Sequence, residues 1–202
     1  MLISIHPDNP QPRQLSMVKD CLENGGIIAY PTDTIYGLGC DIFHPEAIEK
    51  ICAIKKVAPE KAQLSFICAD LSNLSNYAKS IDNSLYRIMK KLLPGPYTFI
   101  LPASKEVPKI LQNKKKTIGL RIPDNKIALG IIETLGHPIL SASFPGEQVE
   151  DYTDPELIQE HWGHLVDMVI DGGIGGMIPS TVIDCTSDEL SVIRQGAGVW
   201  EY

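Results

Sequence analysis

At 202 residues and a net charge of −7, the chain is the length of one domain, or of one domain with a small appendage, and too acidic to coat nucleic acid indiscriminately. It has no apolar run of about eighteen residues, and its first residues, MLISIHPDNPQP, lack the basic flank and apolar stretch of a signal peptide, so a cytoplasmic protein without a membrane partner is expected. The five cysteines (Cys21, Cys40, Cys52, Cys68 and Cys185) are odd in number, widely spaced and without a C-x-x-C pair, which argues against a disulfide framework or a zinc knuckle; Cys21, Cys52 and Cys68 read as small core residues.

Residues 1–5 predict a short strand. A helix is expected over 12–24, because Leu15, Val18 and Leu22 share a face, Pro12 stands in the first turn and Gly25 lies past the end. Ile27, Ile28, Ala29 and Tyr30 are too few for a helix and read as a buried strand stopped by Pro31. The next stretch, TDTIYGLG, reads as a polar loop. Thr32, Asp33, Thr34 and Tyr36 put three hydroxyls and a carboxylate within five positions, and Gly37 and Gly39 allow a ligand close to the backbone or a positive φ. Loops at strand ends often carry the site of an open sheet, although these residue types also form ordinary turns that satisfy their own backbone.

After an extended piece at 40–43, Pro45 opens a helix with Ile48, Ile51 and Cys52 inward. Lys55, Lys56 and Lys61 follow, suited either to the helix C-terminus or to a phosphate. A strand is expected over 63–69, with Asp70 capping a short helix to Tyr77 and Asp82 capping a helix over 83–93 whose inner face is Leu85, Ile88 and Leu92. Pro94, Gly95 and Pro96 stop that helix; a strand at 97–101, a helical turn at 107–111 and a basic turn at 113–116 come next. Over 117–123, Ile118, Leu120 and Ile122 alternate with Thr117, Gly119 and Arg121, which places Arg121 on the face opposite the apolar set.

A helix over 125–135 ends at Gly136, and 138–143 is a strand. Residues 144–153, with a Pro-Gly pair and three acids, read as a mobile loop. A helix from Pro155 to about residue 165 and strands at 166–170, 181–185 and 190–194 complete the chain, with a glycine-rich turn at 171–176. Alternating strands and helices followed by successive strands predict an α/β fold: a single domain over 1–202 built on a twisted, open, mixed sheet flanked by helices.

The charge is unevenly placed. From Lys79 to Lys126 eleven Lys and Arg face Asp82, Glu106 and Asp124, a local +8 that leaves −15 for the remainder; clustered in space these residues would line a basic concave cleft, and otherwise they are solvated faces. DGGIGGM at 171–177 lacks the third glycine of a dinucleotide fingerprint and is followed by Pro179, and no phosphate-binding G-x-x-x-x-G-K-(S/T) loop or G-x-S-x-G elbow occurs. His161, His164 and Asp167 lack a convincing further ligand, so no metal site is expected. What remains is a set of cations and hydroxyls at strand ends: Thr32, Thr34, Tyr36, Lys55, Arg121, Ser141, Ser143, Ser180, Thr181 and Arg194. Such a set favours chemistry run by orientation and by neutralising phosphate charge.

YPTDTIYGLG resembles the YPT-(E/D)-T-x-YGLG signature of the YrdC-like family, the threonylcarbamoyl-adenylate synthases. AIKK (53–56) is similar to the start of the family's K-x-R-P loop, PGPYTFIL (94–101) to its PGP-x-T-x-x-L segment and KKTIGLRIPDN (115–125) to its (V/I)-G-x-R-x-P strand. ILSAS (139–143) resembles the first part of its S-x-S-A-N motif, and PSTVIDCT with VIRQGA resembles its closing pair. The resemblance implies synthesis of threonylcarbamoyl-adenylate from L-threonine, bicarbonate and ATP with magnesium (Mg2+), for N6-threonylcarbamoyladenosine in tRNA, with tRNA-modification proteins as partners.

By motif position it implies Lys55, Arg121 and Arg194 as catalytic residues. Lys55, Lys56, Ser141, Ser143, Ser180, Thr181 and Arg194 would hold the nucleotide, and Thr32, Thr34, Tyr36 and Arg121 the threonine and bicarbonate. The chain departs from the family at Val57 and Ala58, where K-x-R-P has Arg and Pro, and at Pro145, where S-x-S-A-N has Asn. Lysine supplies charge without the guanidinium fork, and proline has no amide. These departures resemble the YciO-type branch, which shares the fold without the complete synthase site; ending at Tyr202, the chain is also expected to lack the extra C-terminal domain of longer synthases. An RNA-binding protein using the basic segment for tRNA or double-stranded RNA, and an enzyme for another carbamoyl or nucleotide substrate, are the alternative expectations.

Overall fold

In the computed structural model, which describes residues 1–202 apart from 63, 112–114, 146–148 and 188, the alternating segments join into one ten-stranded sheet. Its strands are β1 (Leu2–Ser4), β2 (Ile28–Tyr30), β3 (Gly37–Asp41), β4 (Ser65–Ile67), β5 (Tyr97–Pro102), β6 (Thr117–Arg121), β7 (Ile139–Ser143), β8 (Met168–Asp171), β9 (Thr181–Asp184) and β10 (Ser191–Arg194). The helices are α1 (Pro12–Glu23), α2 (Pro45–Ile54), α3 (Leu71–Tyr77), α4 (Asn83–Leu92), α5 (Lys126–Leu135) and α6 (Pro155–Trp162). Strand order is β1-β8-β2-β3-β7-β4-β6-β5-β9-β10. The pairs β1–β8, β2–β8, β4–β6 and β5–β9 are parallel and the others antiparallel, so the fold is the expected single-domain α/β arrangement with a mixed sheet.

Local chemistry sets the helix limits. Pro begins α1, α2 and α6 where its missing N–H costs nothing. The side chains of Asp70, Asp82, Asn125 and Asp154 each accept a backbone N–H from the first turn of the helix they precede. Among the described residues no helix is long and apolar enough to cross a membrane.

The sheet buries both faces, but not equally. On one face Ala29, Leu38, Phe66, Phe99, Leu120, Leu140 and Ile183 meet residues of α2, α3, α4 and α6. On the other, Ile28, Tyr30, Ile67, Ile139, Met168 and Ile170 pack under Leu15, Val18 and Leu22 of α1 and Ile127, Ile131 and Ile132 of α5. That second helical layer covers the β1 side of the sheet and stops near β4 and β7.

Three expectations need correction. Gly37 and Gly39 are not loop residues: β3 starts at Gly37, and neither glycine has a positive φ. The reason is space. A Cβ on Gly39 would stand 3.0 Å from the Tyr30 ring and one on Gly37 3.3 Å from it, so these glycines admit an aromatic side chain from the neighbouring strand. On α4 the deeply buried residues are Leu85 and Met89, while Ile88 and Leu92 sit at its margin. In the stretch expected to be a mobile loop, Phe144 and Tyr152 are buried and stacked at 5.4 Å, with Trp162 against Phe144 at 5.3 Å, and Val149–Tyr152 forms a turn of 3-10 helix. Residues 63, 113 and 114 of the expected strand and basic turn, and 146–148 of the expected loop, lie outside the described residues.

Candidate active site

Strand register explains how residues distant in sequence share one floor. Directly paired residues point to the same face of a sheet. Gly39 pairs with Ser141, Ser141 with Ser65, Ser65 with Gly119, and Gly119 with Ile100. One pleat further on, Ile67 pairs with Arg121, and Thr98 pairs with Val182, which pairs with Arg194. These rows lie on the α1/α5 face; the apolar cluster under those helices reaches Ile67 of β4 and, among the described residues, includes none of β5, β6, β9 or β10. Small residues keep the floor low: a Cβ on Gly119 would stand 2.6 Å from the Ser65 hydroxyl.

At the edge of this floor the loop after β2 closes on β6. Thr32 Oγ1 donates to the Ile35 carbonyl (2.7 Å) and accepts the Thr34 N–H (3.0 Å), which fixes a tight turn. The turn presents Asp33 and Thr34 to Arg121, whose Nη2 donates to Asp33 Oδ1 at 2.5 Å and to Thr34 Oγ1 at 2.8 Å. Arg121 is buried, with only 7% of its surface exposed. Its Nε and the second carboxylate oxygen of Asp33 are buried, with no hydrogen-bond partner among the described residues. Asp33 is not among the site residues expected from sequence, although it lies inside the signature stretch.

Two further cations stand by the floor. Lys55, just past α2, donates from Nζ to the Ser143 carbonyl (2.8 Å) and hydroxyl (3.4 Å), and burial lowers its pKa. Arg194 on β10 donates from Nε and Nη2 to the Ser180 carbonyl (3.2 and 2.8 Å), and Ser180 Oγ lies 2.9 Å from the Thr98 hydroxyl. Partial burial, and next the charge of Arg121, lower the Arg194 pKa, so the two guanidiniums sense one another.

The structure therefore gathers Thr32, Thr34, Arg121, Lys55, Ser141, Ser143, Ser180 and Arg194 around one sheet face. Other predicted residues serve elsewhere. The Tyr36 hydroxyl donates to the Gly173 carbonyl (2.7 Å) and accepts the Gly172 N–H (3.2 Å), while burial pushes the phenol up to about 12; it ties the glycine-rich turn to the site. Thr181 Oγ1 donates to the Gly198 carbonyl (2.6 Å) and accepts the Gly196 N–H (2.9 Å), anchoring the chain after β10. Lys56 is exposed at φ 54°.

Ser65, Gly119 and Thr98 join the floor by register alone. Thr98 carried a usable signal in PGPYTFIL; Ser65 carried none. At the departures, Val57 is exposed, and Pro145 follows Phe144, which the aromatic stack draws into the core.

A family model for Sua5, YciO and YrdC proteins, described as telomere recombination, matches residues 20–196. The chain is 46% identical to YciO of Escherichia coli K12 over 197 residues, covering 96% of this chain and 94% of the relative. The crystal structure of E. coli YciO matches with a TM-score of 0.92 at 44% identity, over 98% of this chain and 97% of that one. The threonylcarbamoyl-AMP synthase of Photobacterium profundum is 31% identical over 187 residues, covering 90% of this chain and 98% of the relative. Sua5 of P. abyssi, crystallised with L-threonine, matches with a TM-score of 0.86 at 27% identity, over 97% of this chain and 57% of that one.

Proposed function

The chain belongs to the Sua5/YciO/YrdC family, and from that premise we propose that it is a threonylcarbamoyl-adenylate synthase using L-threonine, bicarbonate and ATP. The observation that carries the reading is the open sheet floor, bordered by Lys55, Arg121 and Arg194 and paved with Gly and hydroxyl residues. Cations spaced around a shallow floor suit a polyphosphate, and the mutual influence of Arg121 and Arg194 is relieved when an anion lies between them.

In this reading the threonine amine takes up the carbon of bicarbonate with loss of water. A carbamate oxygen then attacks the α-phosphorus of ATP, and pyrophosphate leaves. Lys55 and Arg194 hold the phosphates, with Ser141, Ser143 and Ser180 along the nucleotide, and Arg121 with Thr34 holds the amino-acid side. Among the described residues no group of three or more His, Cys, Asp or Glu is placed to hold a metal ion. Magnesium is accordingly assigned to the triphosphate as part of the substrate, and no step is routed through a protein-bound metal.

The test is pyrophosphate release from ATP with Mg2+ and bicarbonate, with and without L-threonine, together with mass detection of the adenylate. Threonine-dependent release is expected. Lys55→Ala and Arg194→Ala are expected to abolish it while leaving thermal unfolding nearly unchanged; turnover retained in both would remove these residues from the site. Absence of release at high enzyme concentration would overturn the synthase reading and turn attention to RNA titration across salt, where phosphate-driven binding falls steeply.

A further inference from the structure

Arg194 stands on β10, the last strand in the order of the sheet; all four residues of that strand are exposed, and its register against β9 shifts between Val192 and Arg194. Packing therefore does little to fix the guanidinium, and the like charge of Arg121 pushes on it. Hydrogen bonds hold it instead. Nε and Nη2 donate to the Ser180 carbonyl, and Nη2 also reaches the Ser180 hydroxyl at 3.3 Å. Ser180 is buried, and its hydroxyl lies 2.9 Å from that of Thr98, which is buried as well. Thr98 pairs with Val182, and Val182 with Arg194; on its other side, one residue on from the Phe99–Leu120 pair, it faces Arg121. Thr98 thus occupies the strand row between the two guanidiniums.

A guanidinium can only donate, and that fixes the direction of the chain. Ser180 Oγ accepts from Arg194 and keeps one proton, for which the Thr98 oxygen is the side-chain acceptor within reach among the described residues. Were Thr98 to donate instead, the Ser180 proton would be buried without an acceptor, which is costly. Arg194, Ser180 and Thr98 therefore form one polarised chain in which each bond strengthens the next. Without the Thr98 oxygen, the Ser180 hydroxyl turns to seek another acceptor, and its lone pair turns away from Arg194.

We infer that Thr98 is a positioning residue for Arg194: without touching substrate, it orients the Ser180 hydroxyl that holds the guanidinium at the floor, where an anionic oxygen lies between Arg194 and Arg121. The inference rests on the reading of Arg194 as a phosphate-holding residue and adds Thr98 to it. Thr98 also fills space, its methyl lying 3.3 Å from where a Cβ on Gly119 would stand. Its two roles can be separated, because Val keeps the shape and loses the oxygen, whereas Ser keeps the oxygen and loses the methyl.

The experiment is calorimetric binding of ATP with Mg2+ to the intact chain and its variants, with thermal unfolding alongside. Thr98→Val is expected to weaken ATP about three- to tenfold, the range of one hydrogen bond's net worth, and Thr98→Ser to recover most of that loss even where it melts lower. A residue that only packs gives the reverse order. Wild-type affinity in Thr98→Val, or a loss in Thr98→Ser as large as that in Thr98→Val, overturns the inference.

Ser180→Ala separates positioning from direct contact. In that background the chain is already cut, so adding Thr98→Val is expected to change ATP affinity by less than about twofold. The full loss reappearing there shows that Thr98 touches the nucleotide itself and overturns the relay. Should Thr98→Val alone fail to fold, this double variant, which leaves no stranded hydroxyl, is compared with Ser180→Ala in its place. ATP binding that follows the expected pattern without threonine-dependent pyrophosphate release keeps the relay and removes the synthase. Release that occurs while Thr98→Val binds ATP as the wild type does keeps the synthase and removes the relay, and a wild-type chain that binds no ATP overturns both.

Discussion

Ser141 holds its place on the floor through a residue that looks like pure core. Tyr30 is wholly buried, burial pushes its phenol up to about 12, and its hydroxyl lies 2.6 Å from Ser141 Oγ. Tyr30→Phe should keep the fold and lose about 0.5–1.5 kcal/mol, the net worth of one hydrogen bond, while freeing Ser141 to rotate. Urea melts would read the first effect and, on the proposed synthase reading, KM for ATP, expected to rise with kcat less affected, the second. Gly39→Ala drives a methyl to 3.0 Å from the same ring and 3.3 Å from Ile139, and should cost about 1–3 kcal/mol through overpacking. An unchanged melting midpoint in Gly39→Ala would count against the ring-accommodation argument. These glycines illustrate what sequence hides: spacing marked them as special, but the ring they accommodate comes from β2, and only pairing of β2 with β3 reveals it.

At the scale of the element, α5 carries its boundaries in single residues. Asn125 Oδ1 accepts the Ala128 N–H at 3.0 Å, and Gly136 follows the last turn at φ 87°, with nothing within 4 Å of where a Cβ would stand. Asn125→Ala should cost about 1 kcal/mol through the lost cap. Gly136→Ala should cost about 1–2 kcal/mol from backbone conformation alone, since no clash contributes. The sites sit at opposite ends of a helix of ten residues, so the double variant should equal the sum to within about 0.5 kcal/mol. A larger discrepancy in chemical denaturation would mean that fraying at one end propagates to the other. Such signals made the helices readable: proline at the start, Asp or Asn before it, glycine after it. The strands have no comparable marks, so the sequence places β3 too late and reads Phe144 and Tyr152 as loop; with Trp162 they converge from separate segments, and no local pattern announces that contact.

For the whole molecule the order of the strands is the decisive fact that the sequence leaves open. Motifs point to Lys55, Arg121, Ser141 and Arg194, yet these residues come to one sheet face only because β7, β4, β6, β5, β9 and β10 lie side by side, and that order also brings Ser65 and Thr98 to the floor. A sheet spanning ten strands raises the question of whether its two sides unfold together. The cysteines answer it, because Cys40 lies on β3, Cys52 on α2, Cys68 beyond β4 and Cys185 beyond β9, all buried, while Cys21 on α1 is half-buried. Burial raises the thiols of Cys40 and Cys68 and pushes Cys185 up to about 12 and Cys21 up to about 11. The thiolate is the nucleophile, so at pH 8 even Cys21, its pKa pushed up to about 11, should alkylate about a hundredfold more slowly than an ordinary thiol were its surroundings unchanged. Native protein is therefore expected to resist iodoacetamide, and denatured protein to take up five equivalents. With increasing urea, mass spectrometry should show Cys40, Cys52, Cys68 and Cys185 becoming reactive along one midpoint if the sheet is a single cooperative unit. Release of Cys185 well before Cys40 would instead divide the molecule between β5–β9–β10 and the remainder, with Arg194 on the weaker side and Arg121 at the seam, and would make opening of the site a local event rather than global unfolding.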